Sequence, residues 1–301
     1  MAANLAEKIT FFRRKGPFLG YSSYICKSFC EIITSLMEIT SAQNPRIKHL
    51  LLLQQKSQHR RKEGLFVVEG VRELQHCIEA GFEIDSLFVC EDMVGTMDFS
   101  YLRIEPFTIP RQLYEKVAYR GSTEGVIAVV RERKMSLSML ASHLSPHTSR
   151  HSPLIMVLEG VEKPGNLGAV LRSADAAKAD AVIVCDPLTD LYNPNLIRAS
   201  IGAVFTVPTI ACSSEECIAF LKEHGIRILT AQLQDSHLYY DTDMRSPVAI
   251  VMGTESTGLT QQWRDAADAH IRIPMLGRLD SLNVSVSAAI LLFEAVRQRN
   301  I

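Results

Sequence analysis

The C-terminal half of the chain alternates short apolar runs with stretches of helical spacing. Leu154–Leu158, Ala181–Cys185, Ala203–Val207, Ile226–Ala231, Val248–Met252 and Ala269–Ile273 each have the length and composition of a buried strand. Helices are predicted to begin near Gly168, Pro194, Glu215, Thr260 and Leu282. Apolar strands separated by helices predict an α/β fold with a mostly parallel sheet covered on both faces. From Asn44-Pro45 onward a smaller α/β pattern precedes it. A helix is read over Arg46–Gln55, strands over Leu65–Val68, Ile84–Cys90 and Gly125–Val130, and helices over Val71–Ala80 and Pro110–Val117. Between the two patterns, Lys134 to Pro153 is rich in Ser, His and Pro and reads as a flexible linker. Residues 1–36 show no clear period and read as a poorly ordered extension.

The pattern therefore divides the chain into an extension (1–36), a small domain (37–134), a linker (135–152) and a larger α/β domain (153–301). A length of 301 residues suits two domains. With 47% hydrophobic and 22% charged residues, the composition is that of an ordinary globular protein. No apolar run approaches the roughly 18 residues needed to span a bilayer, so no membrane partner is predicted.

A net charge of −1 argues against a nucleic-acid partner until its distribution is considered. Between Met1 and Gly64 eleven Lys and Arg face four acids, and Arg60, Arg61 and Lys62 form a basic triplet. Such a stretch suits contact with RNA phosphate, or is a solvated surface. The seven cysteines form no Cys-x-x-Cys pair and read as reduced cytoplasmic thiols. His143, His147 and His151 recur every four residues, but Pro146 interrupts them and no fourth ligand is near, so no metal site is predicted.

Three segments carry candidate chemistry: Asn166-Leu167-Gly168-Ala169-Val170-Leu171-Arg172, Gly253-Thr254-Glu255-Ser256-Thr257-Gly258-Leu259, and Ile273-Pro274-Met275-Leu276-Gly277-Arg278-Leu279-Asp280-Ser281-Leu282-Asn283. Each follows a predicted strand, and strand ends in an open α/β sheet leave a ligand crevice. Gly160-Val161-Glu162-Lys163-Pro164-Gly165 has the glycine spacing of a phosphate loop. However, Asn166-Leu167 replace its Lys-Ser/Thr, which removes the phosphate cation and the magnesium hydroxyl. No Gly-x-Gly-x-x-Gly is present, which counts against a conventional dinucleotide site.

In this order and spacing, the three segments resemble the signature motifs of the SpoU/TrmH-like RNA ribose 2′-O-methyltransferases of the SPOUT superfamily. The resemblance covers roughly residues 153 to 300, with a weaker one reaching back to Met37-Glu38-Ile39-Thr40-Ser41, which makes Met37 an alternative start. It implies a C-terminal trefoil knot, S-adenosylmethionine as cofactor and a homodimer packed through the catalytic domains. It also implies a small N-terminal domain that resembles ribosomal RNA-binding proteins. Because small transfer-RNA members lack that domain, ribosomal RNA is the preferred substrate over transfer RNA. The same resemblance assigns Gly253, Ile273, Leu282 and Thr230 to the cofactor, and Arg172 to catalysis with Glu255, Ser281 and Asn283 orienting it. Asn166 is assigned to the nucleotide, and Arg198, in a further matching segment, to RNA phosphate in preference to a role that only supports its helix. The rival from another class is a non-catalytic RNA-binding or assembly factor of the same fold, which would not bind the sulfonium ligand.

Overall fold

The computed structural model describes residues 37–299, apart from 96, 98, 100, 101, 103, 120–123, 145–151 and 255. The expected extension over residues 1–36 therefore lies outside the described residues.

The small domain opens with helices α1 (Pro45–Gln55) and α2 (Ser57–Glu63), followed by β1 (Leu65–Glu69) and α3 (Val71–Glu79). It continues through β2 (Ile84–Val89), α4 (Glu91–Val94), β3 (Phe107–Thr108), α5 (Arg111–Val117) and β4 (Val126–Arg131). Its four strands lie in the order β1-β4-β2-β3, with β4 antiparallel to both neighbours and β3 parallel to β2. Helix α1 begins where Asn44 accepts a hydrogen bond from the Arg46 amide (2.9 Å) and Pro45 presets the first turn.

The segment read as a linker contains a helix, α6 (Leu137–Leu144). Leu137, Leu140, Ala141 and Leu144 recur at helical spacing and pack on the lower face of the second sheet, with Leu140 fully buried. The density of Ser and His around them masked this apolar stripe. The flexible reading is thus corrected over 137–144; residues 145–151 lie outside the described ones.

The larger domain comprises β5 (Leu154–Glu159), α7 (Pro164–Ala176), β6 (Ala181–Cys185), α8 (Pro194–Ala199), α9 (Ala203–Thr206) and β7 (Thr209–Cys212). It continues with α10 (Ser214–Glu223), β8 (Arg227–Ala231), β9 (His237–Leu238), β10 (Val248–Met252), α11 (Gln261–Ala266), β11 (Ala269–Arg272) and α12 (Val284–Gln298). Seven strands form one sheet in the order β7-β6-β5-β10-β8-β11-β9, and every pairing is parallel. Alternate residues feed two apolar clusters. Met156, Val182 and Ile250 face α7 and α12, whereas Ile155, Ile183 and Val251 face α10 and α11.

One predicted strand is absent. Ala203–Val207 forms the short helix α9, and the edge strand lies just beyond Pro208. Ile201 and Gly202 both take positive φ (56° and 82°), which turns the chain and restarts it as a helix. A short apolar run of this length satisfies either conformation.

The two domains share a packed boundary. Phe66 of the small domain stacks on Tyr192 (4.2 Å between centroids) and on Phe205 of the larger one, and Phe82 meets Phe205 edge-on. Arg60, only 4% exposed, donates to Asp190 across the boundary at 2.6 Å. It also donates to the carbonyls of Leu53 and Gln54 at the end of α1. The expectation that Arg60 contacts RNA is therefore corrected. Successive helical residues point about 100° apart, so a basic triplet on a helix cannot face one way; Arg61 and Lys62 are exposed and Arg60 is internal.

This geometry separates the triplet by experiment. Arg60→Ala leaves a buried carboxylate and two carbonyls without their donor and is expected to cost about 3–5 kcal/mol of stability. Arg61→Ala is expected to stay within about 0.5 kcal/mol. Urea denaturation of both variants checks the difference.

Candidate active site

The chain runs outward through β5, β6 and β7, then crosses back to build β8 and β10 on the other side of β5. The order of the strands thus reverses between β5 and β10, and loops at that reversal diverge to leave a crevice. Two adjoining cavities lie there. The larger, about 400 Å³, is lined by the strand ends after β8, β10 and β11, including Gln232, Gly253, Ile273 and Leu282. The smaller, about 130 Å³, is lined by Gly160, Lys163, Asn166, Gly253, Thr254 and Val284. They share Gly253, Thr254, Ser256 and Val284.

The loop after β10 is tightly folded. The Thr254 amide donates to the Gly258 carbonyl (3.3 Å) and the Gly258 amide returns a bond to the Thr254 carbonyl (3.1 Å). The Thr254 hydroxyl accepts from the Thr257 amide at 3.0 Å. A Cβ on Gly253 would overlap the carbonyl group of Gly258 and the Leu259 amide, so only glycine fits there. The loop is anchored from below by Glu159, a buried carboxylate at the end of β5. It accepts from the Thr260 amide (2.9 Å) and the Thr260 hydroxyl (2.6 Å).

Asn283 is the N-cap of α12, its Oδ1 accepting from the Ser285 amide at 3.0 Å. Its Nδ2 donates to Asn166 Oδ1 at 3.3 Å, tying the third motif to the first. Asn166 stands in the first turn of α7, and its helix packs closely because Gly168 has no side chain: a Cβ there would lie 2.6 Å from Ala199 Cβ and 2.8 Å from the Leu196 carbonyl. Gly168 thus serves packing between α7 and α8, and no ligand role is needed for it.

The structure brings together Asn166, Gly253, Ile273, Ser281, Leu282 and Asn283 around the two cavities. It does not bring Thr230 there. Thr230 is fully buried and its hydroxyl pairs with His270 Nδ1 on β11 at 2.6 Å; the next residues, Ala231 to Gln234, line the cleft instead. The resemblance assigned Thr230 to the cofactor, but its side chain points into the sheet, where it meets His270. Arg172, six residues after Asn166, is exposed and lies outside both cavity walls. Ser281 donates to Asp280 at 3.2 Å, and Asn283 bonds Asn166 and the Ser285 amide. Glu255 lies outside the described residues. Arg198 is exposed on α8 and lines a different cavity, between the domains, with Glu69, Arg72 and Tyr119.

Two cleft residues escaped sequence reasoning. Gln232 Oε1 and Arg264 Nε are buried and have no hydrogen-bond partner among the described residues, and both residues line the larger cavity. Buried polar atoms of this kind mark positions where a ligand or water completes the bonding. The signal was available only as their distance from β8 and β10 in the chain, which the motifs do not include.

The glycine at the shared wall gives a direct check. Gly253→Ala forces the loop off the strand end, and overpacking against backbone is expected to cost about 1–3 kcal/mol. Gly165→Ala, where a Cβ meets nothing within 4 Å, is expected to change stability by less than about 0.5 kcal/mol. Thermal or urea denaturation distinguishes the two.

Similarity to known proteins agrees with this geometry. Residues 153–293 match the SpoU rRNA Methylase family, and residues 44–128 match the MRM3-like substrate binding domain. The 23S rRNA (guanosine-2′-O-)-methyltransferase RlmB of Vibrio parahaemolyticus is 37% identical over 244 residues, covering 78% of this chain and 96% of that protein. A crystal structure of an RNA 2′-O ribose methyltransferase is 40% identical with a TM-score of 0.72, covering 88% of this chain and all of the other. The AdoMet-bound rRNA methyltransferase of Sinorhizobium meliloti is 29% identical with a TM-score of 0.77, covering 86% and 97%. Two matched domains, in the order the fold shows, leave one conclusion: the chain belongs to the SpoU rRNA methylase family.

Proposed function

We propose that this chain transfers a methyl group from S-adenosylmethionine to the ribose 2′-hydroxyl of a guanosine in ribosomal RNA. The observation that carries the reading is the meeting of three motif loops at one pair of adjoining cavities, in a chain 37% identical to a ribosomal RNA guanosine 2′-O-methyltransferase over nearly all of that protein's length.

The larger cavity suits the cofactor. Its wall includes Met252, Ile271, Ile273, Leu282 and Leu291, an apolar surface for an adenine face, while Gly253 admits close approach of backbone. The unpartnered Oε1 of Gln232 is a ready acceptor for a hydroxyl or amine of a bound molecule. When bound there, the sulfonium supplies the methyl group. The smaller cavity, with Asn166 and Lys163 on its wall, is the position for the ribose. Asn283 holds Asn166 through its side-chain amide, so the two asparagines position the sugar as a pair.

Arg172 stabilises the alkoxide that develops as the hydroxyl loses its proton. A guanidinium stays charged and is a poor free base, so its role is electrostatic. Because Arg172 lies outside the cavity walls of its own chain, it is proposed to enter the cavity of a second copy in a homodimer. Leu276, Leu279, Val286 and Phe293 are exposed along the third motif and α12, and such an apolar strip suits burial against a partner. Glu255 is proposed to orient Arg172 there. The chain from β11 to α12 is proposed to thread as a trefoil knot, an exception to the usual avoidance of threaded connections. The small domain, residues 37–134, grips the RNA with Arg61 and Lys62, and Arg198 contacts phosphate at the boundary between the domains.

Arg172→Ala is expected to reduce single-turnover methylation of ribosomal RNA by at least about a hundredfold, as loss of a preorganised charged donor does. Calorimetric affinity for S-adenosylmethionine is expected to stay near wild type, and Arg172→Lys is expected to restore little, since an ammonium lacks the planar fork. Retention of more than about a tenth of wild-type turnover by Arg172→Ala would exclude the electrostatic role.

A further inference from the structure

Away from the cleft, three cysteines converge. Cys185 ends β6 and Cys212 ends β7, and the parallel register pairs them directly. Cys217 lies one turn inside α10, which begins immediately after Cys212 and its capping Ser213. The three sulfur atoms all lie within 4.8 Å of one another. Cys185 and Cys217 are fully buried, while Cys212 is half-buried and leaves an approach from solvent. Their positions in the sequence, 27 and then five residues apart, hide the cluster; the pairing of β6 with β7 creates it.

We propose that Cys185, Cys212 and Cys217 form a three-sulfur site for one soft univalent metal ion of the Cu(I) class. Thiolate sulfur is the ligand type that selects such ions. Among the described residues no histidine or carboxylate joins the group. Structural zinc sites almost always take four protein ligands, so a closed set of three fits a three-coordinate univalent ion better. Binding converts the three thiols to thiolates, and their protons leave to solvent as the sulfur–metal bonds form. No electron moves, so no oxidant is required.

The site has a built-in reporter. Trp263 is the chain's single tryptophan. It is fully buried in the same apolar cluster as Cys185 and Cys217. Its indole N–H donates to Ser214 Oγ at 2.9 Å, on the helix that carries Cys217. An ion held at the cluster is expected to change the fluorescence of Trp263.

The experiment titrates the reduced full-length protein, under anaerobic conditions, with Cu(I) held by a chromophoric competitor. Absorbance reports the ion removed from the competitor, and fluorescence reports Trp263. One equivalent is expected to transfer with a saturating fluorescence change, and X-ray absorption is expected to show three sulfur neighbours. Cys212→Ser, at the half-exposed position, is expected to lose that equivalent and the fluorescence change while keeping the wild-type circular dichroism. Because Cys26 and Cys30 are further thiols of the chain, the double variant Cys26→Ser/Cys30→Ser is expected to retain both signals. The proposal is overturned if Cys212→Ser still takes the equivalent, if the double variant loses it, or if the ion fails to transfer in the wild type. Uptake of Zn(II) in preference, with an oxygen as fourth neighbour, would overturn the choice of metal.

Discussion

The insertion of β10 between β5 and β8 is the constraint on which the site depends. Its backbone pairs with β5 through five registered residues and with β8 through four, all in parallel. The loops that follow these strands consequently leave the sheet at one edge, side by side. Gly253 becomes the wall common to both cavities because it ends this central strand. β10 is also wholly apolar and buried, so the pairing is reinforced on both faces by packing as well as by hydrogen bonds. The site is thus fixed by the rigid centre of the sheet, and only its rim is irregular backbone.

Around that centre, single contacts set the geometry. Glu159 fixes the β10 loop from beneath by accepting from Thr260. Asn283 both caps α12 and holds Asn166, so the start of the last helix and the first motif move as one unit. Arg60 and the Phe66–Tyr192–Phe205 stack join the small domain to the larger one through side chains that are mostly buried. The small domain is therefore packed against the larger one in a defined orientation.

Much of this was legible in the chain. The apolar runs at Ala181–Cys185 and Val248–Met252 coincide with strands β6 and β10, because continuous burial on two faces leaves no other pattern for a parallel strand. Gly253, Ile273, Leu282, Asn166 and Asn283, which the resemblance singled out, lie around the two cavities. What failed depended on partners distant in sequence. Thr230 is turned inward by His270, forty residues on, and Arg60 by Asp190, 130 residues on. Ala203–Val207 has the composition of a strand but is turned by Ile201 and Gly202 into a helix. Leu137, Leu140 and Leu144 carried a helical stripe that surrounding Ser and His obscured. Gln232, half-buried with an oxygen that has no partner among the described residues, belongs to no motif and emerges only when β8 is set beside β10.

The central claim is that the paired cavities direct methyl transfer to a ribose oxygen of ribosomal RNA. It is tested most directly by incubating the protein with S-adenosylmethionine carrying a labelled methyl group and unmodified ribosomal RNA, then identifying the labelled nucleoside after complete digestion. The account predicts a single 2′-O-methylguanosine. Label on a base atom, or RNA bound without any label transferred, would contradict it.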